Sequence, residues 1–164
     1  MSADIRLVVQ DVSGAQGVPS AAVMQAWVSE TLQGRRPRAE LTVRVVDEAE
    51  SAELNRTWRE REGPTNVLSF PFALPPGLAD ADIGDILGDL VICAGVVTRE
   101  AREQDKTSEA HWAHMLVHGT LHLLGYDHQD DQQAQDMEQL EITIMARLGY
   151  ADPYHRALEG PQQA

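Results

Sequence analysis

The sequence predicts an α/β (α+β) protein with a single mixed four-stranded sheet and about five helices. Short apolar runs of strand length alternate with amphipathic segments of helical length along the chain. Helices separate the first, second and third strands, whereas the third and fourth strands have none between them. Helix-linked strands favour parallel pairing, so one strand of the sheet should be antiparallel.

The first half of the chain has the pattern β-α-β-α. Its predicted elements are a strand over 5–9, a helix from Ser20 to about Leu32, a strand over 41–46 and a helix from Asp47 to about Arg59. Ser20 and Asp47 stand at the starts of the two helices, where their side-chain oxygens can accept hydrogen bonds from first-turn N–H groups. Both positions therefore predict helix N-termini.

The second half begins after the helix-breaking pair Gly63-Pro64. Its predicted elements are a strand over 67–72, a loop over 73–85, a strand over 87–93, helices over about 94–104, 108–124 and 130–148, and a frayed tail over about 153–164. Pro71 lacks a backbone N–H, which predicts an edge position or a strand end.

Length and composition favour one domain that spans residues 1–164. The chain is 43% hydrophobic, enough for one sizeable core. Cys93 is its only cysteine and lies in an apolar run, so we expect a buried, inert thiol with no disulfide partner. No signal peptide or membrane-length apolar run is seen, so we expect a cytoplasmic protein without a membrane partner.

Three histidines at and just after the end of the predicted 108–124 helix predict a metal centre. His118 and His122 are four residues apart, so their Cβ atoms should lie about 5–6 Å apart on one helix face. Gly125 can adopt a positive φ and end the helix, so that His128 returns toward the pair. Three imidazoles suit one zinc ion per chain and leave a fourth coordination position open, as in catalytic zinc sites.

The neighbouring residues bear on which reaction such a zinc site would catalyse. The ligand spacing also fits a metzincin-like metallopeptidase, but Gly119 replaces the glutamate that such enzymes use as a base. Glu138 or Glu141 on the last helix would have to supply that base, although a solvated helix face is the expectation for both. For His111 and His114, a core or supporting role hydrogen-bonded to a neighbour is expected.

The net charge of −13 argues against nonspecific nucleic-acid binding. The basic residues are nevertheless clustered, which leaves a local basic groove possible. The clusters are Arg35, Arg36 and Arg38; Arg56, Arg59 and Arg61; and Arg99, Arg102 and Lys106. For the first cluster, a solvated surface is the expectation.

Four blocks of sequence resemble the YbeY family of bacterial rRNA maturation factors. The blocks are Leu54 to Arg59, Gly63 to Pro71, Leu87 to Leu90, and His111 to His128. The resemblance covers most of the chain and implies a zincin-like fold. It also implies a zinc-dependent endoribonuclease that acts on single-stranded RNA in 16S rRNA 3′-end maturation and ribosome quality control. The implied partners are the rRNA precursor, the small ribosomal subunit and its assembly factors.

In that family the three motif histidines, here His118, His122 and His128, bind the zinc. The arginine of the family's Tyr/Trp-Arg pair corresponds to Arg59 and is implied to be needed for activity, although Trp58 stands where tyrosine is more usual. A zinc-stabilised, noncatalytic ribosome-assembly factor is the other alternative.

Arg59 is also the candidate catalytic residue on physical grounds. A guanidinium can form a bidentate pair of hydrogen bonds to the charged oxygens of a phosphodiester transition state. A surface ion pair with Glu60 or Glu62 is the alternative. The candidate substrate-binding residues are Arg59, Arg61, Asn66 and Ser69, although turn and strand-end roles would also explain Asn66 and Ser69.

Overall fold

The computed structural model describes residues 4–73 and 85–154. Its elements are β1 (Asp4–Asp11), α1 (Ala21–Leu32), β2 (Arg38–Val46), α2 (Glu48–Arg59), β3 (Val67–Pro71), β4 (Ile86–Cys93), α3 (Ala94–Glu103), α4 (Ser108–Leu123) and α5 (Asp131–Arg147). Each predicted element is present. Most of the predicted 73–85 loop and of the predicted tail lies outside the described residues.

The largest boundary difference is at β2, which begins at Arg38 rather than at residue 41. Its first residues pair in parallel with β1, where Asp4 lies opposite Arg38. Backbone hydrogen bonding to a neighbouring strand thus extends β2 beyond the apolar positions visible in the sequence. The helix starts follow the predictions, since Ser20 and Asp47 cap α1 and α2 by accepting hydrogen bonds from backbone N–H groups three residues ahead.

The four strands of the described residues form one mixed sheet in the order β1-β2-β4-β3. β1, β2 and β4 are parallel to one another, and β3 runs antiparallel to β4. The predicted mixed sheet and its antiparallel strand are therefore confirmed. β3 lies at the edge, where Pro71 is tolerated because a missing N–H costs least there.

Both faces of β4 are buried, as its near-continuous apolar sequence requires. Leu90 and Ile92 belong to the larger hydrophobic cluster, to which α1, α4 and α5 contribute. Val91 and Cys93 alternate with them and belong to the smaller cluster on the opposite face. The sheet is thus covered by helices on both sides, and α4 lies against it within the larger cluster.

Cys93 is buried, and this burial raises the pKa of its thiol. The expectation of a buried, unreactive cysteine is therefore confirmed. None of the helices in residues 4–73 and 85–154 is both long enough and apolar enough to cross a lipid bilayer.

Candidate metal centre

The turn after α4 positions the third histidine. Gly125 has a φ of 104°, and its N–H donates to the carbonyl oxygen of His122 at 3.0 Å. The N–H of Tyr126 donates to the carbonyl oxygen of Leu121 at 3.1 Å. These two hydrogen bonds form a Schellman motif, which requires a left-handed residue at the position of Gly125. The predicted helix-ending role of Gly125 is confirmed.

His118, His122 and His128 are brought together by this arrangement. One ring nitrogen from each lies within 4.8 Å of the others, and the Nε2 atoms of His118 and His122 are 3.1 Å apart. Two nitrogens bound tetrahedrally to zinc at about 2.0–2.1 Å would lie roughly 3.3–3.4 Å apart. The donor set therefore fits one zinc-sized ion with little rearrangement.

Glu141 of α5 forms hydrogen bonds with His118 and with its neighbour His114. Its side chain is fully buried, and its Oε2 lies 2.8 Å from Nδ1 of His118. Its Oε1 lies 2.5 Å from both Nε2 of His114 and the hydroxyl oxygen of Tyr154. A carboxylate that fixes the second ring nitrogen of a histidine is the usual partner of a metal-binding imidazole.

The expectation that Glu141 lies on a solvated helix face is wrong. Met137, Glu141 and Ile144 are all buried on α5, and their spacing of four and three residues places them on one face. The carboxylate is stable there because it accepts three hydrogen bonds. The signal in the sequence was a charged residue in line with an apolar stripe.

The electrostatics around Glu141 and His122 favour metal binding by the proposed ligands. Burial alone would raise the pKa of Glu141, but hydrogen bonds from His114 and His118 lower that pKa to about 2. An ionised Glu141 accepts the Nδ1 proton of His118, so Nε2 of that ring carries a lone pair. Burial, together with the neighbouring His118 and His128, lowers the pKa of His122. This shift favours the neutral imidazole that a metal requires.

The residues upstream on α4 have supporting roles. His114 and His111 are buried; His114 bonds to Glu141, and Nε2 of His111 lies 2.8 Å from Glu100 Oε1. His114, His118 and Glu141 also lie within 4.8 Å of one another, but hydrogen bonds already join their facing atoms. We interpret these three as an orienting network rather than a second metal site.

Arg59 is exposed at the C-terminal end of α2. Its Nη2 donates to the carbonyl oxygen of Ser69 at 2.7 Å, and its Nη1 donates to that of Trp58 at 3.2 Å. The guanidinium carbon lies 4.9 Å from the centre of the Phe70 ring, within the range of a cation–π contact. These contacts replace the ion pair with Glu60 or Glu62 that was the alternative.

Ser69 connects Arg59 to α4, the helix that carries His118 and His122. Its hydroxyl donates to the carbonyl oxygen of Gly119 at 3.3 Å, next in sequence to His118. The side chain of Asn66 has other hydrogen-bond partners: its Nδ2 donates to Glu100 at 3.1 Å, and its Oδ1 accepts from Val67 N at 2.6 Å. Arg61 is exposed just beyond α2. Ser69 and Arg59 thus share a contact, whereas Asn66 belongs to the Glu100–His111 network.

Gly119 permits close contact between α4 and the sheet. A Cβ atom at this position would lie 2.8 Å from Cδ2 of Leu90 and 3.2 Å from Cγ2 of Val67. Both distances are shorter than ordinary carbon–carbon contacts. A glutamate at this position, as the metallopeptidase mechanism needs, would therefore clash with the core.

Comparison with known proteins places this geometry in a family. The family model described as Endoribonuclease YbeY matches residues 14–149. A protein of Halorhodospira halophila named Endoribonuclease YbeY is 56% identical over 151 residues, covering 92% of this chain and 97% of that protein. The solution structure of TM1509 from Thermotoga maritima has a TM-score of 0.54 at 24% identity, covering 93% of this chain and 99% of that one, and so shares the fold. The chain belongs to the Endoribonuclease YbeY family.

Proposed function

We propose that this protein is a zinc-dependent endoribonuclease that cleaves single-stranded RNA in 16S rRNA 3′-end maturation and ribosome quality control. The observation that carries the proposal is the convergence of three imidazoles on one point, in a chain of an endoribonuclease family. The RNA-cleaving activity follows from that membership. The metal, the residues and the ribosomal substrate form the finer part of the proposal.

His118, His122 and His128 are the proposed ligands of one zinc ion per chain. When bound, such an ion would supply Lewis acidity toward a phosphodiester oxygen. Glu141 holds His118 in the tautomer that presents Nε2. These three residues would hold the ion and leave it accessible to the substrate.

Arg59 is the proposed stabiliser of negative charge that develops on the phosphate. Its hydrogen bond to Ser69 and its contact with Phe70 hold the guanidinium in place, and its other N–H groups can meet two phosphate oxygens. Arg61 lies two residues further along the same exposed segment and is proposed to contact a flanking phosphate. Ser69 and Asn66 are proposed to serve the substrate mainly by holding β3 in position.

The proposed partners are the rRNA precursor, the small ribosomal subunit and its assembly factors in the cytoplasm. With a net charge of −13, the protein as a whole repels a polyanion. Affinity for RNA must therefore come from local cationic and aromatic groups near the metal centre. This requirement favours binding of a short, accessible single strand over nonspecific binding to any duplex.

The test uses purified, zinc-loaded protein and an end-labelled single-stranded RNA that spans the 3′ end of precursor 16S rRNA. The same RNA annealed to its complement provides the duplex control. We expect cleavage of the single strand, little cleavage of the duplex, and loss of both activity and zinc in His118→Ala. Equal cleavage by His118→Ala would identify a contaminating nuclease and overturn the proposal.

A further inference from the structure

An open cleft lies at the C-terminal end of α4, against the turn that leads from α4 to His128. It is lined by Arg35, Leu124, Gly125 and Tyr126 and has a volume of about 290 Å³. Gly125 and Tyr126 belong to the turn that connects His122 to His128. One wall of the cleft is therefore the same segment that carries the third histidine.

Arg35 is the cationic group of this cleft. Its Nη1 donates to the carbonyl oxygens of Thr31 at 3.4 Å and Gln33 at 3.2 Å. These contacts anchor the half-buried side chain while Nε and Nη2 remain as further donors. Within residues 4–73 and 85–154, no carboxylate lies at ion-pair distance from Arg35. In a chain with 26 acidic and 13 basic residues, an anchored arginine without an acidic partner is a candidate anion-binding group.

Tyr126 is the aromatic group of the cleft. Its backbone is held by the hydrogen bond to Leu121, and the residue is 36% exposed. Leu124 packs against the hydrophobic core and adds an apolar wall. The ring is thus presented from a rigid turn, which suits stacking because little order must be gained on binding.

We infer that this cleft is a subsite for one nucleotide of single-stranded RNA next to the cleaved phosphodiester, with its base on Tyr126 and its phosphate on Arg35. This inference rests on the proposed function. Aromatic stacking beside a cationic group is the usual way in which proteins hold unpaired bases. The volume of about 290 Å³ falls just below the usual range of roughly 300–1,000 Å³ for ligand pockets, so the cleft is too small for a longer segment of the strand.

The test compares Arg35→Gln with Arg36→Gln in the zinc-loaded protein. Both variants lose one positive charge at adjacent positions, but Arg36 directs its Nε to the carbonyl oxygen of Arg38 and does not line the cleft. We expect Arg35→Gln to raise KM for a short single-stranded RNA by about tenfold with unchanged zinc content. Arg36→Gln should leave KM near the wild-type value. Equal effects of the two substitutions would overturn the subsite.

A second pair of variants tests the stacking. Tyr126→Phe keeps the ring and should retain the wild-type KM, whereas Tyr126→Leu should raise KM by about tenfold. If Phe and Leu were equally harmful at equal zinc content, the ring would not be stacking a base. Wild-type KM in a zinc-loaded Tyr126→Leu variant would likewise overturn the stacking.

Binding separates this inference from the proposed function. Fluorescence anisotropy with a labelled single-stranded RNA measures affinity without cleavage. Wild-type protein that bound the RNA through Arg35 but never cut it would contradict the proposed reaction and support the subsite. Wild-type protein that cut RNA with a KM insensitive to Arg35 would support the reaction and overturn the subsite.

Discussion

Replacing Glu141 with glutamine should weaken zinc binding without changing any ligand. The substitution keeps the shape of the side chain but leaves one acceptor oxygen where two carboxylate oxygens now serve His114, His118 and Tyr154. With the NH₂ group toward His118, two donors would face each other, or His118 would move its proton to Nε2 and lose the lone pair that zinc needs. With the oxygen toward His118, the neutral amide would hold the Nδ1 proton less strongly than the carboxylate does, and the NH₂ group would face His114 and Tyr154. Each outcome works against the metal.

The magnitude follows from the contacts that are lost. A donor left without a partner in the interior costs about 1–3 kcal/mol, so the metal-free protein should lose about that much free energy of unfolding. Substitutions of carboxylates that orient metal-binding histidines typically reduce metal affinity by about 10–100-fold. This range corresponds to about 1.4–2.8 kcal/mol of binding free energy.

Two assays check this prediction. Competition with a chromophoric chelator measures zinc affinity, and guanidinium titration of the metal-free protein measures the free energy of unfolding. Glu138→Gln is the matched control, because Glu138 lies on the same helix but is exposed, and it should change neither quantity. Wild-type zinc affinity in Glu141→Gln would refute the role of this carboxylate in setting the tautomer of His118.

Three further predictions concern the arginine, the sheet and the dependence on pH. Arg59→Ala should reduce RNA cleavage by about 10²–10³-fold in single-turnover assays at full zinc occupancy. Arg59→Lys should recover little of this activity, because an ammonium group cannot form the bidentate pair of hydrogen bonds. A wild-type rate in Arg59→Ala would remove this residue from the mechanism. Gly88→Ala should lower the free energy of unfolding by about 2–4 kcal/mol in denaturant titration. The reason is that Gly88 has a φ of 148° and that the new Cβ would lie 2.4 Å from the carbonyl oxygen of Phe70. Unchanged stability would show that the backbone can relax there. Burial alone would raise the pKa of Glu100, but hydrogen bonds from His111 and Asn66 bring this pKa below its ordinary value of 4.5. The ionised Glu100 therefore stabilises the fold above pH 4.5, and this stabilisation disappears as the pH falls through the lowered pKa. Glu100→Gln should therefore flatten the acid side of the plot of unfolding free energy against pH, and an unchanged slope would contradict this assignment.

The parts of the fold that depend on local chemistry were predictable from sequence. Ser20 and Asp47 cap their helices, Pro71 lies on the edge strand, and Gly125 ends α4 with a positive φ. Each of these residues acts on backbone within a few positions of itself, so the sequence pattern contains the necessary information.

The supporting contacts of the site were less accessible, because they join distant segments. Glu141 is 23 residues from His118, and Asn66 is 34 residues from Glu100. A carboxylate on α5 is predicted to face solvent unless its partner is known, since an unpaired buried charge is too costly. The one local clue was that Glu141 lies on the same helix face as Met137 and Ile144. The burial of that apolar face could have been taken to include Glu141.

The position of Glu141 along the chain affects when the enzyme becomes competent during its synthesis. A ribosome that has made the chain through His128 has produced every proposed zinc ligand, but it has not yet made the carboxylate that orients His118, or Tyr154, which bonds that carboxylate. Tight metal binding at the proposed site would then wait until α5 has emerged and packed against α4. A nuclease with this proposed site would therefore complete it only after most of its own translation, once α5 has joined the core.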